Sequence, residues 1–235
     1  MTTALPLQDM HVHSTFSDGK NTIEENIEQA ESLGLETLTC VDHVRIDTDW
    51  LPDYVAAIER LRPTTEVELL CGIEAKLLNT AGDLDLPELP PGIDRIYAAD
   101  HQVPLIDGPH HPREVKEEIE SGGRDGQDVI SDIVESTANA ARRHENMVIA
   151  HMFSILPKLG LSEDEVPAEL LDDLAKVAAE TGTLIEIDER WSCPSARSLK
   201  PFVAEGITVL MSTDSHMREK IGQFDYNARV WQEIS

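Results

Sequence analysis

The feature that most constrains this chain is a regular alternation of short apolar runs with segments of helical spacing. The runs fall at 7–10, 37–41, 67–73, 93–99, 147–150, 183–187 and 206–211, giving seven candidate strands. Thr22 with Glu25 forms a capping-box pattern ahead of Ile27, Ala30 and Leu33, and Gly34 closes that helix. The segment 127–144 places Val129, Ile130, Ile133, Val134, Ala138 and Ala141 on one helix face, and 162–180 does the same with Val166, Leu170, Leu174, Val177 and Ala178. Strands joined through helices pair in parallel, and seven such units in 235 residues suggest closure into an α/β barrel; an open doubly wound sheet is the alternative. The stretches 79–92 and 107–112, rich in Pro, Gly and Asp, read as surface loops. Neither divides the chain, so one domain over 1–235 is expected.

Nearly every candidate strand ends in a residue able to bind a metal: His11 and His13, His43, Glu74, His101, His151, and finally Asp214 and His216. In parallel α/β folds the strand C-termini converge on one rim, which is where active sites form. His11 and His13 are two apart on extended chain, so both rings point to one side, and Asp214 and His216 repeat that spacing. Asp42 adjoins His43 and would point the other way, either orienting an imidazole or capping the loop. Asp18, in the Ser17-Asp18-Gly19 loop, is close enough in sequence to fold back over His11 and His13. A single strand-end histidine is more often a satisfied polar residue than a ligand. Six of the nine histidines at strand ends, together with Glu74 and Asp214, are poorly explained that way. Mixed imidazole and carboxylate ligation suits Zn, Mn or Fe. Nine ligands exceed the needs of one ion, so two or three ions are expected, and such ions lower the pKa of bound water toward neutrality. His110 and His111 read as exposed loop residues. His144 reads as a cation complementing a helix C-terminus. Glu186, Asp188 and Glu189 read as solvated or ion-paired rim residues, with a supporting role at the metals as the alternative.

Composition limits the ligands. With 45 acidic and 19 basic residues the formal charge is −26, which repels nucleic acid, and no basic cluster offsets it. Screening over about 8 Å at physiological salt still allows a small phosphorylated ligand inside a cleft. The apolar runs are too short for a membrane span, and 1–10 lacks a basic and then apolar leader. Cys40, Cys71 and Cys193 are odd in number and far apart, which reads as reduced thiols in a cytoplasmic protein.

The motifs His11-Val12-His13-Ser14-Thr15-Phe16-Ser17-Asp18-Gly19, Val41-Asp42-His43, Gly72-Ile73-Glu74, His101, Ala150-His151 and Ser212-Thr213-Asp214-Ser215-His216 together resemble those of the polymerase and histidinol phosphatase (PHP) family of metal-dependent phosphoesterases. The resemblance implies a distorted seven-stranded (β/α) barrel similar to a TIM barrel, holding a trinuclear centre of Zn, Mn or Fe. It implies that His11, His13 and Asp214 with Glu74 serve one ion. Glu74 would bridge to a second ion bound also by His101 and His151, and Asp18, His43 and His216 would serve the third. Asp214, His216 and His101 are the expected catalytic residues.

The implied reaction is hydrolysis of a phosphate ester by a metal-activated hydroxide. A small phosphomonoester, such as a histidinol-phosphate-like metabolite, is the expected substrate; a phosphodiester of nucleotides or short oligonucleotides is the alternative. Arg190 and Arg197, bracketing the loop 191–196, and Arg45 are the expected phosphate-binding cations, because guanidinium pairs with phosphate in two-point fashion. A deaminase on a similar barrel would need a modified lysine, and the run 93–101 contains none. The remaining alternative is a metal or phosphometabolite sensor without turnover.

Overall fold

The computed structural model describes residues 4–235. Nine strands form among the described residues, numbered in chain order. The seven expected runs become β1 (Gln8–Val12), β2 (Thr37–His43), β3 (Glu68–Lys76), β4 (Arg95–Ala99), β7 (Met147–Ile149), β8 (Leu184–Asp188) and β9 (Val209–Ser212). They make one parallel sheet in the order β1-β2-β3-β4-β7-β8-β9. Both faces are covered, so β2 buries five consecutive residues from Leu38 to Asp42, as parallel strands do. The other two strands, β5 (Val103–Leu105) and β6 (Gly108–His110), pair as a separate antiparallel hairpin.

The sheet curls until its edges meet at the C-terminal rim. His13 N–H donates to the Ser215 carbonyl at 2.9 Å, and Ser215 N–H to the His11 carbonyl at 3.2 Å. One buried carboxylate reinforces the seam: Asp9 accepts from Thr213 N at 3.0 Å, Thr213 Oγ1 at 2.6 Å and Gly222 N at 3.0 Å. The result is a nearly closed, distorted barrel, closed by loop hydrogen bonds and a carboxylate clasp. Asp9→Ala strands three donors, two of them backbone, and is expected to cost about 3 kcal/mol in a urea titration with little change in the slope. A loss below about 1 kcal/mol would show that the seam holds without Asp9.

Helix α1 (Ile23–Leu33) starts at the expected capping box: Glu25 N–H donates to Thr22 Oγ1 and Thr22 N–H to Glu25 Oε2. It ends at Gly34 with φ 70°, a left-handed position glycine adopts freely. The segments at 127–144 and 162–180 become α4 (Gly126–Arg143) and α6 (Ala168–Thr181), the second preceded by a short 3₁₀ turn, Glu163–Glu165. Helices α2 (Leu51–Leu61), α3 (Pro112–Glu120), α5 (Leu156–Leu159), α7 (Ala196–Ala204) and α8 (Asp225–Ile234) complete the outer layer. The reading of 107–112 as a loop is corrected. It contains the turn and second strand of the β5–β6 hairpin and the start of α3, where His111 is the N-cap and Pro112 the first helical residue.

Inside the barrel Met10, Val41, Tyr97, Ala99, Val148, Ala150 and Leu210 pack together. Tyr97 fills the centre, with its hydroxyl on the Met10 carbonyl, because Gly72 opposite leaves room: a Cβ there would lie 3.1 Å from the ring. The three cysteines are buried and unpaired. Among the described residues, no helix is long and apolar enough to cross a membrane.

Candidate metal centre

The loop after β1 folds back over its own strand because Gly19 permits contact: a Cβ there would sit 2.6 Å from the His13 carbonyl carbon. Asp42 fixes that loop, accepting from Ser14 N at 3.0 Å, Ser17 N at 3.1 Å and Ser14 Oγ at 2.6 Å. Of its two expected roles, loop capping is the one its hydrogen bonds serve. The fold-back brings Asp18 Oδ1 to 3.8 Å from His13 Nδ1, 3.7 Å from His43 Nε2 and 3.2 Å from His216 Nε2.

Glu74, at the end of β3, is the hub. Its Oε2 lies 3.5 Å from His11 Nε2, 3.6 Å from His13 Nε2 and 2.8 Å from His43 Nδ1, while Oε1 lies 3.0 Å from His101 Nε2 and 2.8 Å from His151 Nε2. Asp214 Oδ1 stands 3.0 Å from His13 Nε2 and 3.4 Å from His216 Nδ1. The structure thus brings all nine expected ligands to one place. His11, His13, Glu74, His151 and Asp214 are buried, His43, His101 and His216 are half-buried, and Asp18 is exposed at the mouth. Asp214 and His151 have φ of 47° and 26°, left-handed backbone costly for ordinary side chains. Such positions cluster where geometry serves function.

Whether metals fit can be judged from what the protein leaves unsatisfied. Among the described residues His11 Nε2, both His13 ring nitrogens and Glu74 Oε2 are buried with no aligned hydrogen bond, although Glu74 Oε2 and His13 Nε2 lie close to His43 and Asp214. Unpartnered buried polar atoms cost about 1–3 kcal/mol each, and a cation shared among them removes that cost. The separations agree, since tetrahedral ligands about 2.1 Å from an ion stand about 3.4 Å apart. Metal-ready groupings are His11, His13 and Asp214; His43, Glu74 and His101; His13, Asp18, His43 and His216; and His11, Glu186 and Asp188. The allocation expected from resemblance differs at His13, which also joins the Asp18 group, at His43, which also joins Glu74 and His101, and at His151, which falls in none of these groupings.

Electrostatics follow from the same contacts. Burial alone lowers the pKa of His11, His43 and His151, but Glu186 and Glu74 at His11, Glu74 at His43, and Asp100 with Glu74 at His151 outweigh it and raise all three. Burial would raise the pKa of Glu74, but His101 and His11 hold it well below the usual carboxylate range. A histidine with a raised folded pKa contributes stability present below its ordinary 6.5 and lost as pH rises through the raised value. These three histidines therefore contribute less stability to the metal-free protein as pH rises, while ions compete better as protons leave. The rise in Tm produced by Zn or Mn over chelator is expected to grow as pH rises above the ordinary histidine value of 6.5. An increment flat in pH would contradict this linkage.

Three acidic residues, Glu186, Asp188 and Asp100, stand behind the candidate ligands. Glu186 and Asp188 are fully buried, not rim-solvated. Glu186 receives His11 Nδ1 at 3.1 Å and His151 N–H at 2.8 Å, turning His11 Nε2 toward the cluster. Asp188 accepts Trp191 N–H at 2.7 Å, and Trp191 Nε1–H in turn donates to Asp214 Oδ2 at 2.9 Å. Burial, then Asp214 and Glu186, push the Asp188 pKa well up. Asp100 was not anticipated: it holds Ser154 Oγ at 2.6 Å and stands 3.5 Å from His151 Nδ1. The signal was present, because Asp100-His101 repeats the Asp42-His43 pattern.

The expected phosphate-binding cations separate. Arg190 reaches the centre, with Nη1 3.0 Å from His216 Nε2 and 3.4 Å from Asp214 Oδ1. Arg45 lines a cavity of about 1010 Å³ floored by Asp18, His43, Glu74 and His101. Arg197 does neither. Its guanidinium binds the carbonyls of Glu163 and Val166 at 3.2 and 2.7 Å, stapling the 3₁₀ turn to α7, because the loop 191–196 turns residue 197 outward. A second cavity of about 410 Å³ is lined by Arg190, Asp214 and His216. His110 pairs with Asp107 at 3.0 Å, whereas His111 lines the large cavity. His144 caps the C-terminus of α4, but burial and then Arg143 lower its pKa, so Arg142 and Arg143 supply the positive charge that complements that end.

Comparison with known proteins adds to this geometry. The family model described as "PHP domain" matches residues 9–190. A probable phosphatase of Clostridium acetobutylicum is 25% identical over 226 residues, covering 93% of this chain and 82% of that protein. A probable phosphatase of Acetivibrio thermocellus is 24% identical over 239 residues, covering 96% and 86%. A phosphoribosyl 1,2-cyclic phosphate 1,2-diphosphodiesterase of Eggerthella lenta is 49% identical over only 37 residues, 16% of this chain and 14% of that one. A crystal structure from Bifidobacterium adolescentis, described as a candidate metal-dependent phosphoesterase, overlays 96% of each chain at a TM-score of 0.48 and 16% identity.

Proposed function

This chain belongs to the PHP domain family, and from that premise we propose that it is a metal-dependent phosphoesterase acting on a small phosphomonoester at a three-ion centre of Zn, Mn or Fe. The observation that carries the reading is the set of buried atoms of His11, His13 and Glu74 that make no aligned hydrogen bond, with Glu74 lining a cavity of about 1010 Å³. Hydrolysis needs buried cation ligands and open space side by side.

His11, His13 and Asp214, Glu74 with His101 and His151, and Asp18 with His43 and His216 would hold the ions. When bound, such ions supply an activated water near neutral pH and neutralise charge on the phosphoryl and leaving oxygens. The chain's own groups do the rest. Glu186 holds Nδ1 of His11, and Asp100 with Ser154 holds that of His151, so each ring presents Nε2 inward. Of the proposed catalytic residues, His101 borders the large cavity while Asp214 and His216 border the smaller one, which supports a phosphoryl group bound between them. Arg190, beside His216 and partly exposed, offers guanidinium N–H groups to a phosphoryl oxygen. A cytoplasmic setting with reduced thiols belongs to the same reading.

The second reading, a phosphodiesterase, draws on the short match to the Eggerthella lenta enzyme. The test is hydrolysis of an aryl phosphate against a bis-aryl phosphodiester, with and without chelator, alongside metal analysis. Chelator-sensitive turnover of the monoester is expected. Preference for the diester would favour the second reading, and bound metal without any turnover would leave a sensor.

A further inference from the structure

The wall of the large cavity carries charge of the opposite sign to the protein. With 45 acidic residues against 19 basic ones, an arbitrary stretch of wall should be rich in carboxylates. The acidic residues lining this cavity are Asp18 and Glu74, both in the metal centre, and its other charged residues are Arg45, Lys76, Arg113, Lys116 and Lys158. They come from separate places in the fold: the loop after β2, the end of β3, the first turns of α3, and α5. The start of α3, His111 and Pro112, lines the same cavity, so the positive end of that helix adds to the field.

Neighbouring carboxylates neutralise only part of this charge. Lys76 pairs with Asp85 at 3.1 Å, and Arg113 and Lys116 pair with Glu117 and Glu120 along α3 at 3.0 and 3.7 Å. The two helix pairs are solvent-exposed, where such contacts are weak and readily exchanged for a better anion. Lys158 lies 4.2 Å over the Trp191 ring and, like Arg45, pairs with no carboxylate among the described residues. Cations gathered from four elements repel one another, and an anion placed among them relieves that repulsion.

We propose that this wall is a subsite for a second anionic group, so that the substrate is a small organic phosphate bearing a further phosphate or carboxylate away from the ester that is cleaved. The proposal rests on the phosphoesterase reading and narrows its substrate class. The cavity volume suits such a molecule, being larger than a lone phosphate requires. An extended polyanion fits less well, because beyond the cavity it would meet a surface of strong negative charge.

The test compares binding and turnover on the metal-loaded protein. By titration calorimetry, butane-1,4-bisphosphonate and 4-phosphonobutanoate are each expected to bind at least about tenfold tighter than butylphosphonate, the effect of one added charge-assisted contact. The preference should fall with added KCl and collapse toward unity in Arg113→Ala/Lys116→Ala and in Lys158→Met. A gain for the bisphosphonate alone assigns the second group as phosphate, and equal gains assign either anion. The same ratios are then read in kcat/KM with the corresponding phosphate esters. Equal binding of the mono- and bis-anions, or variants that keep the preference, would overturn the subsite. So would stronger binding of a 5′-phosphorylated decanucleotide than of the bis-anions. If no ester is hydrolysed while the binding preference survives, the phosphoesterase reading fails and the subsite stands.

Discussion

Glu74→Gln is expected to lower phosphoesterase turnover by about a thousandfold and to release most of the bound metal, with the fold retained. The substitution keeps size and shape, so packing is little disturbed. It removes the charge that the ring nitrogens of His11, His13, His43, His101 and His151 all approach within 3.6 Å. A neutral amide offers one weak oxygen in place of two anionic ones and turns an N–H₂ donor toward nitrogens that must themselves be lone-pair donors to a cation. Metal analysis after dialysis, circular dichroism and the aryl phosphate assay read the three parts separately. Full activity, or full metal content with an unchanged fold, would remove Glu74 from the hub.

Asp214→Asn should cost about a hundredfold or more in turnover. The left-handed backbone at this position, φ 47°, is one that asparagine tolerates, so the local turn should survive. The bond from Trp191 Nε1–H can also be kept by the amide oxygen. What is lost is the negative charge between His13, His216 and Arg190. Burial would raise the pKa of Asp214, and His13 and His11 hold it below the usual range, so the carboxylate is ionised throughout the working pH and its charge is what the substitution tests. A variant within twofold of the native rate would show that the charge is dispensable.

How much of this was legible beforehand varies with the range of the interaction involved. The seven sheet strands could be read because each is a short apolar run between polar helix faces, a local pattern. Helix α3 was missed although Pro112 after His111 is a helix-start signal, because the two histidines and flanking prolines resemble a loop. The gathering of the strand-end histidines and carboxylates was legible because a strand end fixes where a side chain lies along the barrel axis. Arg197 was misplaced, since the direction of a loop after a strand end depends on what it packs against. Glu186 and Asp188 were misjudged for a related reason: a carboxylate on a strand looks the same in sequence whether it faces an imidazole or water.

The order of residues by itself determined the alternation of strand and helix and the placing of imidazole and carboxylate groups at strand ends, because both are written in spacings of a few residues. Tertiary structure alone decided that Asp9 clasps the seam and that Glu74 stands among five histidines. It also decided that five cations line a cavity in an acidic protein. Those facts depend on how the sheet closes and which loops meet above it. Closure is set by hydrogen bonds between residues some 200 positions apart, which no local pattern records.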